Sequence, residues 1–216
     1  LQQQGHFEKA GVAPPNLASL LDIVAVGTVA DVVVLDKNNR ILVHQGLQRI
    51  RAGKCRPGIK ALVEVANRDC AHLTSTDLGF VVGPRLNAAG RLDDMSQGIA
   101  CLLEDETIQA RMIAAELDAL NKERREIETG MKAQAETVLE QMALDEGDMP
   151  SALVVYREDF HQGVIGIVAG RLKEKYLKPV IAFAHQDDEI IKGSARSIPG
   201  VYIRDVLEEV NTRHPG

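Results

Sequence analysis

Tryptophan is absent from this sequence and aromatic residues make up only 3% of it, which leaves little material for a cofactor or sugar site built on stacked rings. Cysteine is scarce. Cys55, Cys70 and Cys101 are odd in number, widely spaced and form no Cys-x-x-Cys pair. A structural zinc site and a disulfide framework are therefore disfavoured, and three small hydrophobes in a reducing cytoplasm are expected. Long hydrophobic runs are also missing. The longest apolar-rich run, Ile23–Ala30, holds eight residues between Asp22 and Asp31, against the roughly 20 needed to cross a bilayer. No basic region followed by an apolar stretch opens the chain, so no export signal is expected. The first residue is Leu1 rather than Met, which points to a piece of a longer polypeptide.

What is present has the balance of a folded protein: 216 residues, 45% hydrophobic and 26% charged, enough for one large domain or two small ones, with a core of Leu, Ile, Val and Ala. The net charge of −6 is unevenly spread. Glu104–Asp148 holds 13 acidic and 5 basic side chains, while the remaining 18 acidic and 20 basic residues balance at +2. Between Asp36 and Glu64 stand Lys37, Arg40, Arg49, Arg51, Lys54, Arg56 and Lys60 with no acidic residue among them. The acidity belongs to one element, so a basic face elsewhere is compatible with a polyanionic partner.

That acidic element is the clearest structural signal. Ile113, Leu117, Leu120, Ile127, Met131, Val138 and Met142 recur at helical spacing from Thr107 to Met142, with no proline. Asp105 is a plausible N-cap, and Gly147, Asp148 and Pro150 stop the helix. About ten turns and about 50 Å long, with a single apolar stripe, it reads as a spacer between two folded lobes. Before it the pattern is mostly helical. A helix over Leu20–Val26 is capped by Asn16 or Ser19, Val32–Leu35 is a β-branched run that can extend it, and Asp36–Asn39 is turn-like. Helical spacing resumes over Arg40–Ile50 and Ile59–Asn67, and Thr74–Asp77 caps a short helix ending near Gly83. After the long helix the pattern becomes α/β: strand Ala152–Tyr156, helix Gly163–Tyr176, strand Pro179–Ala184, a turn at Asp187-Asp188, strand Ile190–Ser197 and helix Val201–Val210.

Four segments carry residues suited to chemistry. Asp22 and Asp31 bracket Ile23–Ala30; nine helical steps put them on opposite faces, so they do not share a site. Asp31, after the Gly27-Thr28 bend, is the better placed to offer a carboxylate to Mg²⁺ or Mn²⁺, although spacing alone favours a plain cap for the next element. Gly83–Leu92 combines Gly, Pro, Arg85, Asn87 and Arg91. Its glycines and proline suggest special turns, and its arginines match either phosphate oxygens or nearby acids such as Asp93 and Asp94. Gly193–Ser197 offers small residues, two hydroxyls and Arg196, a phosphate-contact composition or a plain tight turn. It is not a Gly-Lys-Ser/Thr phosphate loop, so nucleotide triphosphate hydrolysis is not indicated. His161 precedes a helix whose Gly163, Gly166, Ala169 and Gly170 permit close packing, and a cap is its simpler role. No Ser or Cys stands in a nucleophile context.

Together, in this order and separated by a long helix, Asp22–Asp31, Arg51–Leu62, Gly83–Leu92, His161–Leu172 and Gly193–Ser197 resemble the single-strand-specific 5′→3′ DNA exonucleases of the DHH phosphoesterase superfamily. The resemblance spans nearly the whole chain. It implies an α/β protein: the C-terminal part of a DHH catalytic domain over residues 1–103, a connecting helix over 104–148, and a small α/β DHHA1 domain over 149–216, truncated at its C-terminus, with DNA passing between the two domains. It implies phosphodiester hydrolysis in DNA recombination and repair. Asp31 then matches a ligand of a catalytic Mn²⁺ or Mg²⁺ pair. Arg85 or Arg91 matches the arginine facing DNA phosphates, and Ser194, Arg196 and Ser197 match the group holding the 5′-terminal phosphate. Asn87 and His161 lie in matching motifs on the nucleic-acid side. The implied partner is single-stranded DNA, with single-strand-binding protein and a helicase as further candidates, and no membrane.

The departures are informative. The six histidines are never adjacent, so the Asp-His-His triplet is missing, as are the early Asp-x-Asp motif and the Gly-Gly-His segment. One Asp cannot hold two ions roughly 3.5–4 Å apart, so an interior piece, inactive alone, is expected. An oligonucleotide or cyclic-dinucleotide phosphodiesterase of the same superfamily, and a non-catalytic nucleic-acid-binding module, are the alternatives.

Overall fold

The computed structural model describes residues 6–146, 150–187 and 189–214. The chain divides into two compact units, Leu1–Asn121 and Lys122–Gly216, and the division falls inside one long helix. No helix among the described residues is long and apolar enough to cross a membrane.

The first unit is helical. Asn16 Oδ1 accepts the Ala18 N–H and caps the 3₁₀ turn Leu17–Leu20, which leads directly into α1 (Leu21–Ala30). The β-branched run does not extend that helix. Asp31 is its C-cap, and Val32 takes φ +55°, turning the chain out so that Val32–Leu35 is exposed. Asp36 opens α2 (Lys37–Arg51) by accepting the Asn39 N–H at 2.9 Å, so the polar segment expected to be a turn is an N-cap and a first helical turn. Gly46 brings α1 and α2 together: a Cβ there would lie 2.2 Å from the Leu21 carbonyl oxygen. Pro57 starts α3 (Pro57–Val65). Thr74 and Asp77 form a reciprocal capping box on Ser75–Asp77, which passes through a π-helical turn, Leu78–Val82, into α4 (Gly83–Leu92). Gly83–Leu92 is therefore regular helix rather than special turns. Pro84 sits in its first turn, where no N–H is needed, and the π turn absorbs the junction. With α5 (Ser96–Leu103) these helices bury Ala25, Val26, Ile50, Ile59, Leu62, Leu78, Val82 and Cys101 in one core.

The long helix, α6, runs from Thr107 to Glu146. It starts after Glu106, whose N–H is taken by the Glu104 carboxylate at 2.8 Å; Asp105 is not the capping side chain. Gly147 and Asp148 lie outside the described residues. Leu117 and Met131 of the expected stripe are buried, but alanines share the contact: Ala110 and Ala114 enter the core of the first unit, and Ala135 and Leu139 are buried in the second. Asp118, Asn121 and Arg124 are buried as well, which is why the apolar pattern breaks mid-helix.

The second unit has the expected α/β order. β1 (Leu153–Tyr156) pairs parallel with β2 (Val180–His185) through the crossover helix α7 (Ile165–Tyr176), and β2 forms an antiparallel hairpin with β3 (Ile191–Arg196). Asp187 closes the hairpin by accepting the Glu189 and Ile190 N–H groups, while Asp188 lies outside the described residues. Leu153, Val155, Val180, Ala182 and Ala184 alternate inward against Val168, Ala169 and Leu172 of α7. The last helix, α8 (Ile203–Arg213), starts two residues later than its spacing suggests and buries no residue.

Candidate functional site

In the first unit the two aspartates of α1 have opposite fates. Asp22 is 1% exposed. Its Oδ2 accepts the backbone N–H of Arg56 at 2.8 Å, tying the start of α1 to the residue that caps α3. Asp31 stands at the exposed end of α1, where its backbone N–H bonds the Gly27 carbonyl and no described group donates to its carboxylate. Thr28, one turn earlier, bonds the Val24 carbonyl at 2.7 Å. Of the two, Asp31 is the carboxylate available to an external cation. Among the described residues no three His, Cys, Asp or Glu come together to hold a metal ion.

The two arginines of α4 also separate. Arg85 gives Nε and Nη2 to Asp118 Oδ1 at 2.9 and 2.8 Å, and Nη1 to the Val81 carbonyl at 2.7 Å. Its side chain is 11% exposed and that of Asp118 7%. The Arg85 fork, expected among the phosphate contacts, is thus closed on a carboxylate and locks α4 to α6. Arg91 is exposed in the last turn of α4, and Asn87 is half-buried on the same helix. Within the basic stretch, Arg51 is also structural, since its Nε donates to the Leu73 carbonyl at 2.8 Å.

In the second unit, His161 Nδ1 accepts the Gly163 N–H at 3.1 Å, and its carbonyl accepts from Val164 and Ile165. It caps the approach to α7. Ser194 and Arg196 are neighbours on one face of β3: Arg196 Nη1 donates to Ser194 Oγ at 3.2 Å and to the Ala195 carbonyl at 2.9 Å. Nε and Nη2, the parallel N–H edge that fits two oxygens of one anion, donate to no described group. Ser197 Oγ instead accepts the Ile203 N–H at 3.1 Å and caps α8. One pair escaped the sequence reading: at the C-terminal ends of β1 and β2, Tyr156 Oη meets His185 Nε2 at 2.6 Å. Only the β1–β2 register, not spacing along the chain, brings these 29-apart residues together.

Residues 150–216 match the DHHA1 domain family. Over all 216 residues the chain is 59% identical to the single-stranded-DNA-specific exonuclease RecJ of Dickeya dadantii, covering 38% of that protein. The chain belongs to the RecJ family. Two solved RecJ structures from Thermus thermophilus, one in complex with Mg²⁺ and one with Mn²⁺, share the fold. Their TM-scores are 0.76 and 0.78 at 32% identity, over 95% of this chain and 30% and 29% of theirs. The chain thus spans well under half the length of the RecJ relatives it matches.

Proposed function

We propose that these residues belong to a metal-dependent 5′→3′ exonuclease that hydrolyses phosphodiester bonds of single-stranded DNA. In this reading residues 1–103 are the C-terminal part of a DHH domain, 104–148 the connecting helix and 149–216 a DHHA1 domain. The observation that carries it is Asp31: an exposed carboxylate with no described donor, in a chain 59% identical to a RecJ exonuclease. Mg²⁺ or Mn²⁺, as in the Thermus relatives, would supply an activated water and stabilise charge on the displaced oxygen. The residues present do not by themselves fit a metal pair, because one carboxylate cannot bridge and hold two ions. The remaining ligands come from parts of the longer protein, and these 216 residues alone are inactive.

What this chain's own groups do is bind and orient. Arg196, through its Nε–Nη2 edge, and Ser194, through its hydroxyl, grip the 5′-terminal phosphate. Arg91 and Asn87 lie along the strand, while Arg85, His161 and Ser197 shape the scaffold. Three free cysteines suit a reducing cytoplasm. Single-strand-binding protein and a helicase gain no support from any described residue. The test is Asp31→Ala in the full-length protein: cleavage of a labelled single strand falls by at least about 10³-fold, while binding of the strand in a chelator changes less than about threefold. Cleavage at parental rate removes the ligand assignment.

A further inference from the structure

Helix α7 carries Gly166 and Gly170 four residues apart, where glycine is a poor helix former. The two are not equivalent. A Cβ at Gly166 would lie 2.9 Å from Arg196 Nη2 and 3.1 Å from Ser194 Oγ, whereas at Gly170 the nearest group, Arg196 Nε, is 3.9 Å away, an ordinary contact. The guanidinium of Arg196 therefore lies across α7 at Gly166, with the Ser194 hydroxyl beside it and bonded to Nη1. Both obstructing atoms are the ends of side chains that can rotate, so a methyl at Gly166 displaces them without disturbing the helix or its buried residues Ile165, Val168, Ala169 and Leu172.

We infer that Gly166 is a positioning residue for the 5′-end site: its missing side chain lets Arg196 and Ser194 settle together against α7, and this sets a preference for a 5′-phosphorylated strand over a 5′-hydroxyl strand. The inference rests on the reading of Ser194 and Arg196 as the phosphate group. Arg196 retains three N–H donors on Nε and Nη2 that no described group accepts, and their direction is fixed only while Nη1 stays on Ser194 and Nη2 stays seated beside Gly166. With a methyl at Gly166 the fork is still present but no longer preorganised, and affinity for the phosphorylated end falls through lost preorganisation.

The experiment measures binding of 5′-phosphoryl and 5′-hydroxyl oligodeoxynucleotides of one sequence to the full-length protein by fluorescence anisotropy, in a chelator so that nothing is cleaved. The parent prefers the phosphoryl end. Gly166→Ala lowers that preference about tenfold, leaving hydroxyl-end affinity and melting temperature at or above the parent's. Gly170→Ala, equally helix-favouring, keeps the parental ratio, and Arg196→Ala loses it. An unchanged ratio in Gly166→Ala, with the ratio lost in Arg196→Ala, overturns the inference alone. Equal loss in Gly170→Ala assigns the effect to the helix and also overturns it. A parental ratio in Arg196→Ala overturns the phosphate reading beneath it.

Discussion

Asp22 illustrates how one carboxylate of a helix can be buried and structural while another, at the helix's far end, faces outward. Because Asp22 is 1% exposed and accepts the Arg56 N–H, Asp22→Ala leaves that N–H without an acceptor. The expected loss is about 1–3 kcal/mol in urea unfolding, and smaller for Asp22→Asn, which keeps an oxygen. The cysteines differ in the same local way. Cys55 donates to the sulfur of Cys70, which holds the Cys55 thiol protonated and lowers Cys70 below the ordinary thiol range. Burial pushes Cys101 up to about 11. Timed alkylation read by mass spectrometry is expected to modify Cys70 first, since the thiolate is the reactive form, and Cys101 last, since it alone of the three is fully buried. For Cys101 the folded chain stays neutral while the unfolded chain ionises near about 8.5. Its contribution to stability is therefore complete below that pH and declines as pH rises towards 11.

Between elements, close approach decides what a residue is worth. Gly58 in α3 faces α5, where a Cβ would fall 1.7 Å from the Cys101 carbonyl oxygen, a backbone atom that cannot rotate away. Gly58→Ala must separate the two helices and is expected to lower stability by about 3 kcal/mol. Gly130→Ala in α6, where nothing lies within 4 Å, is expected to raise it by up to about 1 kcal/mol. Thermal melts of the pair check both signs. Element types were largely legible because turn chemistry and periodicity are local: the capping box at Thr74, the strand–helix–strand–hairpin order after Leu153 and the forty-residue α6 all follow from short-range rules. The exceptions have local causes too. Asp36 looks like a turn residue but serves as a cap, and the valine run after Asp31 leaves the helix because Val32 is left-handed, a conformation no β-branched residue prefers.

For the whole molecule, the two units have separate cores joined through one continuous helix. The Arg85–Asp118 pair lies within the first. Asp118→Ala strands a guanidinium that is 11% exposed and is expected to lower stability by about 3 kcal/mol. In hydrogen exchange the lost protection is expected in α4 and its neighbours, with β1–β3 unchanged. Protection lost equally in both units would contradict their independence. By itself the sequence determined the order and type of the elements, the motif series shared with RecJ relatives, and which residue types were suited to a metal or a phosphate. Only the tertiary structure decided which of them stand available. Asp22 meets a backbone donor 34 residues away and Arg85 a carboxylate 33 residues away, whereas Asp31 and the Nε–Nη2 edge of Arg196 meet no described partner. Spacing along a chain fixes the face on which a side chain stands, but a partner brought in from a distant helix is set by packing, which no local pattern encodes.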